Sequence, residues 1–590
     1  MRVFRKNQLN KYQNKFESKS SILGKIIAVC LLTLVPLISP SAAQADDEIG
    51  LDPSFGGGGI VTTVINQLSE ANSVVMQSDG KIVVAGYAYN TPTFNDFAVA
   101  RYNSDGSLDT TFGIDGVVIT HLGANDIASS VVMQSDNKIV VAGFTYGGIG
   151  DKFFSSFAVA RYNFDGSLDI TFGIDDDDGI NGVVKTNIGS DSVATSVVMQ
   201  SDGNIVVAGH VELEPVTQER GFVVARYKFD GSLDKTFGID ADGIDGVVIS
   251  DIGENGAEAT SVVLQNIGDV QKIVVAGYAK PTATNSDFAV VRYNSDGSLD
   301  TTFGDLNPEG PDLRTGVVIS DLGFNDLANS VVLQTIDDVQ KIIVAGSISA
   351  EGDSAFAVVR YNSDGSLDTT FGTDEDGIDG VVITPIGSSS EVYSVAMQSD
   401  GKIVAVGHSY NGVETDFAGA RYSTDGLLLG VLTTNIDTDD YGMSVVLQSD
   451  GKIVVAGSTY DGVGGYNFAI VRYSSTTAPS DGDSDSSSPK TVATITPEVV
   501  KTAAGVFNLK NKTYLSKNDI KTKLSKNRSF KRNPEDLYKY SIFKASKKAC
   551  IMRGNYVMAL KKTGTCDLNV TRTTVKGAKF KYWVKINYSN

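Results

Sequence analysis

The densest sets of hard ligands in the chain lie in three short acidic stretches: DDDDGING (175–182), DADGIDG (240–246) and DEDGIDG (374–380). Aligned on their Gly-Ile pair, they offer Asp176, Asp178 and Asn181; Asp240, Asp242 and Asp245; and Asp374, Asp376 and Asp379. Carboxylates two apart, beside a glycine that allows a sharp bend, can turn several oxygens onto one calcium ion at about 2.3–2.6 Å. These nine residues are the candidate calcium ligands. They depart from an EF-hand loop, because the third acidic or amide residue follows the glycine and no distal bidentate Glu is evident. The plainer reading is an acidic surface insertion that keeps the protein soluble in salt.

A second candidate is RYNSDGSLDTTFG, which stands unchanged at 101–113, 292–304 and 360–372. Asn103, Asp105 and Asp109 have a spacing that could ring a cation. Equally, Asn and Asp can bond their own backbone in a turn while Gly106 takes positive φ and Phe112 packs between repeats. Repetition favours the turn. Seven copies of an anion-gripping arginine would call for a seven-fold ligand, so each Arg of the Arg-Tyr pair is expected to meet a carboxylate, the Asp-Phe aspartates Asp96, Asp287 and Asp416 being at hand. Catalytic text is sparse: three histidines, His121, His210 and His408, fall on separate repeats, and no Gly-x-Ser-x-Gly or phosphate loop occurs. No catalytic residue is assigned. Cys550 and Cys566, in a chain read as exported, are expected to form one disulfide.

What must position these residues is a repeat. Arg-Tyr recurs seven times, from Arg101 to Arg472; Ser-Val-Val-(Met/Leu)-Gln and Lys-Ile-Val-Val-Ala-Gly, with small variations, also count seven. Each unit reads as four strands, the first two joined by a Ser-Asp-Gly-type tight turn. SVVMQ and KIVVAG are apolar on both alternating faces, so both sides of each sheet are covered. Four-stranded sheets sandwiched between copies of themselves, seven times over, predict a seven-bladed β-propeller. The fourth run, Val117–Thr120, reads as opening the next unit. LDPSFG (51–56) is the motif's tail without its head, and Arg472-Tyr473 its head without a tail, as ring closure requires.

The pattern DFAVARYNSDGSLDTTFG with QSDGKIVVAG resembles the bacterial delta-60 repeat over residues 50–473. That resemblance implies a β-propeller on an exported or cell-surface protein, and brings no catalytic residues with it. Downstream, CIMRGNYVMALKKTGTCDLNVT resembles bacterial Ig-like modules over about 30 residues. The fold expected is therefore all-β: a seven-bladed propeller of four-stranded blades followed by a small Ig-like domain.

The domain plan is a signal peptide (1–45), the propeller (46–474), a Ser/Asp/Pro-rich linker (475–496) and a basic β domain (497–590). The leader has a basic start, an apolar run of about 13 residues, too short for a span of roughly 20, and an Ala-Gln-Ala cleavage text. The chain carries −20 overall, yet its leader is +6 and its tail +17, leaving −43 on the body. Such a body repels nucleic acid and anionic membrane. The reading is an exported, non-catalytic interaction, adhesion or display protein, secreted or at the cell surface and calcium-stabilised through the acidic loops. Its partner would be an extracellular protein or polysaccharide. The basic tail would contact anionic envelope polymers or its own acidic propeller. No nucleic-acid partner is expected, and no integral membrane segment after signal cleavage. The rival reading is a propeller hydrolase or lyase acting on extracellular polysaccharide.

Overall fold

The computed structural model describes residues 49–475, apart from short connections at 92, 150–151, 174–179, 215–218, 239–243, 283–284, 307–313, 324, 351–352 and 373–378, together with strands between 500 and 589. No helix occurs among the described residues. Seven four-stranded antiparallel blades follow one another along the chain; a single parallel bridge, Thr415–Asp439, joins the sixth and seventh into one sheet. Blade 1 comprises Ser69–Met76, Ile82–Asn90, Phe94–Tyr102 and Val117–Thr120, and the later blades repeat its order. In blade 7 the outer strand is Ile60–Thr63, from the start of the chain, and Ile49–Leu51 pairs with the same third strand, Tyr466–Ser475. Closure is thus made by hydrogen bonding between the two ends of the repeat array.

The sheet assignment corrects one boundary. Val117–Thr120 does not open the next blade; it pairs with Phe97–Ala100 and is the outer strand of its own blade. The connection 103–116 therefore joins strands three and four of one sheet. A four-residue strand preceded by a long turn gives no sequence cue about which neighbour it pairs with.

Burial follows from the two-sided apolar runs. Ile82, Val83, Val84 and Ala85 are all fully buried, alternate residues facing the blade before and the blade after. The glycine ending each KIVVAG text has a steric cause. A Cβ at Gly86, Gly143, Gly209, Gly277, Gly346, Gly407 or Gly457 would fall 1.8–2.0 Å from an inner-strand carbonyl oxygen. Each sits where the inner strand bulges, between Ala71 and Ser73 in blade 1, and the bulge brings the two backbones together.

Around the axis the inner strands are tied head to tail. Ser73 Oγ accepts from Val131 N–H of blade 2, Ser130 from Val197, Ser196 from Val262, Ser261 from Val331, Ser330 from Val395, and Ser394 from Val445. Ser444 then accepts from Val74 of blade 1, all at 3.1–3.2 Å. Seven bonds close on themselves.

In the C-terminal region one sheet has the order Val500–Lys510, Lys579–Ser589, Gly564–Thr573, Leu537–Ile542, and another Tyr514–Ser516, Tyr556–Ala559, Cys550–Arg553. Cys550 and Cys566 thus lie on strands of different sheets; their side chains, and the disulfide expected between them, lie outside the described residues, as does the 1–45 leader.

Candidate functional site

The repeated text builds a joint, at the ring end that carries the first hairpins and the connections between strands three and four. Arg101 is fully buried, and its Nε donates to Asp109 Oδ2 at 2.8 Å. Its Nη1 donates to the Phe164 carbonyl of blade 2, and its guanidinium lies 4.6 Å from the Phe112 ring centroid and 4.4 Å from that of Phe164. The same Arg–Asp pair recurs as Arg161–Asp169, Arg226–Asp234, Arg292–Asp300, Arg360–Asp368 and, across the closure, Arg472–Asp52. Blade 6 has lost the Asp, and Arg421 Nε donates to Gln398 Oε1 instead.

This corrects the expected pairing of each Arg with the Asp-Phe aspartate. Asp96 and Arg101 are five apart on one strand, hence on opposite faces and about 16 Å apart; the true partner comes back round the turn eight residues on. Nor do Asn103, Asp105 and Asp109 ring a cation. Asp105 Oδ1 accepts from the amide and hydroxyl of Ser107 at 2.9 and 2.7 Å, while Asp109 is turned onto Arg101. Gly106 has φ +88° and its position packs on Phe55 of the previous joint.

The acidic connections lie at this same end, between strands three and four. Asn181, Asp245 and Asp379 are exposed turn residues just before outer strands. Asp176, Asp178, Asp240, Asp242, Asp374 and Asp376 lie outside the described residues.

The other end, carrying the second hairpins and the blade-to-blade connections, is where the units differ. Three features stand there. Between blades 3 and 4, Arg220 Nη1 donates to Glu258 Oε1 at 2.8 Å and Tyr278 stands directly across the strand pair from Glu258; His210 Nδ1 lies 3.9 Å from Glu258 Oε2. Burial lowers the His210 pKa to about 4 against the pull of Glu258, so this imidazole is neutral at pH 7. Across blades 6 and 7, partly exposed rings form a row: Tyr393 stacks on His408 at 5.5 Å, His408 meets Tyr441 at 5.0 Å, Tyr441 meets Tyr466 at 6.0 Å, and Tyr466 meets Tyr460 at 5.2 Å. Tyr87, across the strand pair from Glu70, continues the surface into blade 1.

The third feature is a pair of inter-blade clusters. Asp96, His121 and Asp126 bring ligand atoms within 4.8 Å of one another, and so do Asp287, Asp321 and Asp326. Two of the Asp-Phe aspartates expected to hold the arginines, Asp96 and Asp287, belong to these clusters. Single-motif reading missed Asp126 and Asp326. Reading down the seven units finds them: where the residue before Phe is Asp (Asp96, Asp287, Asp416), the next inner strand also carries Asp (Asp126, Asp326, Asp440), and the other four blades have Asp at neither place.

A closed ring of four-stranded blades, six of them carrying one repeated Arg–Asp–Phe joint, is a β-propeller repeat protein. Seven segments, 77–112, 134–172, 200–237, 272–303, 341–371, 398–428 and 448–476, match the family described as domain of unknown function (DUF5122) beta-propeller, one in each blade. No curated protein matches the chain. Among solved structures, a protein of unknown function from Dyadobacter fermentans is 9% identical, with TM-score 0.35, over 72% of this chain and 99% of its own. Drosophila semaphorin 2a is 10% identical, with TM-score 0.36, over 90% and 98%. The α-L-arabinanase of Penicillium chrysogenum, solved with arabinobiose, is 10% identical, with TM-score 0.34, over 70% and 98%. At these identities no activity passes from them to this chain.

Proposed function

We propose that the chain is an exported, non-catalytic binding or display protein of the cell surface, with a delta-60-type propeller, an Ig-like tail and polysaccharide as ligand. The observation that carries this reading is the aromatic row from Tyr393 to Tyr460 on the end where blades differ. Partly exposed tyrosines, their rings set at 26–70° to one another, offer apolar faces and edges beside polar hydroxyls, which suits contact with sugar rings. The +17 tail supports attachment to anionic envelope polymers, and the acidic connections support calcium binding at the opposite end.

Retention on a panel of neutral and acidic glycans tests it: the wild type is expected to be retained, and Tyr441→Ala with Tyr466→Ala to be lost at least tenfold, with no new chain ends released. A polysaccharide hydrolase or lyase is the second reading, favoured by neutral His210 beside Glu258 and Tyr278. Product release that disappears in His210→Ala or Glu258→Gln would replace the binding reading with that one.

A further inference from the structure

We infer that Asp287, Asp321 and Asp326, at the interface of blades 4 and 5, hold a divalent cation of the calcium class. Oxygens sharing one Ca²⁺ at about 2.4 Å each lie at most about 4.8 Å apart, and the three side chains meet that limit. Asp287 and Asp326 are buried, at 4% and 0% exposure, while Asp321 is exposed at the mouth. No Lys, Arg or His among the described residues pairs with any of them. Asp326 Oδ2 accepts from Leu322 N–H at 2.8 Å, but its Oδ1 accepts no hydrogen bond. A buried carboxylate oxygen without a donor is costly unless a positive charge compensates it.

The same structural position elsewhere in the ring shows what compensation looks like. Between blades 1 and 2, Asp126 Oδ1 accepts from Thr145 Oγ1, its Oδ2 accepts from the amides of Leu122 and Gly123, and Asp96 Oδ1 bonds His121 Nδ1 at 2.8 Å. Asp96 Oδ2 takes two further donors, Asn90 and Thr93. Between blades 6 and 7, Thr459 serves Asp440, and Asn435 and Asn411 serve Asp416. Between blades 4 and 5 the hydroxyl is replaced by Ile348, the His or Asn by Asp321, and Asp287 keeps one described donor, Asn285 Nδ2 at 2.8 Å. The substitutions remove donors and add an acceptor at one interface only.

The experiment is calcium titration of the purified full chain by calorimetry, with chelator-treated protein and CaCl₂ as the probe. Two variants accompany it: Asp326→Asn, and Asp321→His, which installs the residue of the blade 1–2 cluster at an exposed position and spares the core. The wild type is expected to bind one equivalent of Ca²⁺ more than either variant, and calcium to raise its Tm by several degrees more than that of Asp321→His. Any calcium held by the acidic connections at the other end is common to all three proteins and cancels. Equal stoichiometry in wild type and Asp321→His, or no uptake by the wild type at millimolar Ca²⁺, overturns the assignment, and neither result bears on glycan retention by the aromatic row.

Discussion

At Arg101 a guanidinium with no exposed surface is held by one carboxylate, one carbonyl and two aromatic faces, and removing the carboxylate strands a buried charge. Asp109→Ala is therefore expected to cost about 3–5 kcal/mol in denaturant unfolding, with part recovered by adding Arg101→Met. The carboxylates of this joint also set the acid limit of the fold. Burial alone would raise Asp109, Asp169 and Asp368, but the Thr111, Thr171 and Thr370 hydroxyls and amides, with nearby Lys and Arg, outweigh it. All three sit below the ordinary 3.8, Asp368 at about 2. A carboxyl with a depressed folded pKa contributes stability above its unfolded value and loses it as pH falls through the folded one. The melting temperature should hold from pH 7 to about 5 and fall steeply between about 4 and 2, less steeply in Asp109→Asn. The partner of Arg101 was hidden in the sequence because a turn, not a strand, carries Asp109 back. The acidic pairs were hidden because each is split between two units.

Among the elements, the second strand of each blade is the least forgiving. Gly277→Ala would drive a Cβ to 2.0 Å from the Glu258 carbonyl and is expected to cost about 1–3 kcal/mol. Gly419 is the opposite case. It stands where the other blades carry Val or Ile, and beside it Val404, Val406, Phe417, Leu432 and Val455 line an apolar void of about 10 Å³. Its added Cβ would meet nothing nearer than 3.6 Å, so Gly419→Ala should stabilise by about 0.5–1 kcal/mol, read as a rise in Tm. Strand number and two-sided burial were legible in SVVMQ and KIVVAG, because periodicity reports burial directly. The sheet to which Val117–Thr120 belongs was not, because four residues of VVIT text suit either neighbour.

For the whole molecule, closure rests on a few residues at the start of the chain. Ile60–Thr63 completes blade 7, and Asp52 supplies the partner of Arg472, 420 positions away. Deleting residues 46–64 from an otherwise intact chain should uncover the third strand of blade 7 and strand the Arg472 guanidinium. Hydrogen exchange would then show lost protection in 466–475 first, with the midpoint of global unfolding lowered. The incomplete motif at Leu51–Gly56 made this closure readable in advance, since a tail without a head asks for a head elsewhere.

The pairing of Ile49 with Ser475 also has a mechanical meaning. Force applied between Ile49 and Ser475 enters at adjacent positions on one strand pair, so it does not cross the other six blades. It pulls the ladder apart from its end, one rung at a time: first Ile49–Leu51, next the Asp52–Arg472 contact, then Ile60–Thr63. Loaded this way, blade 7 opens as a zip, one hydrogen-bonded pair at a time.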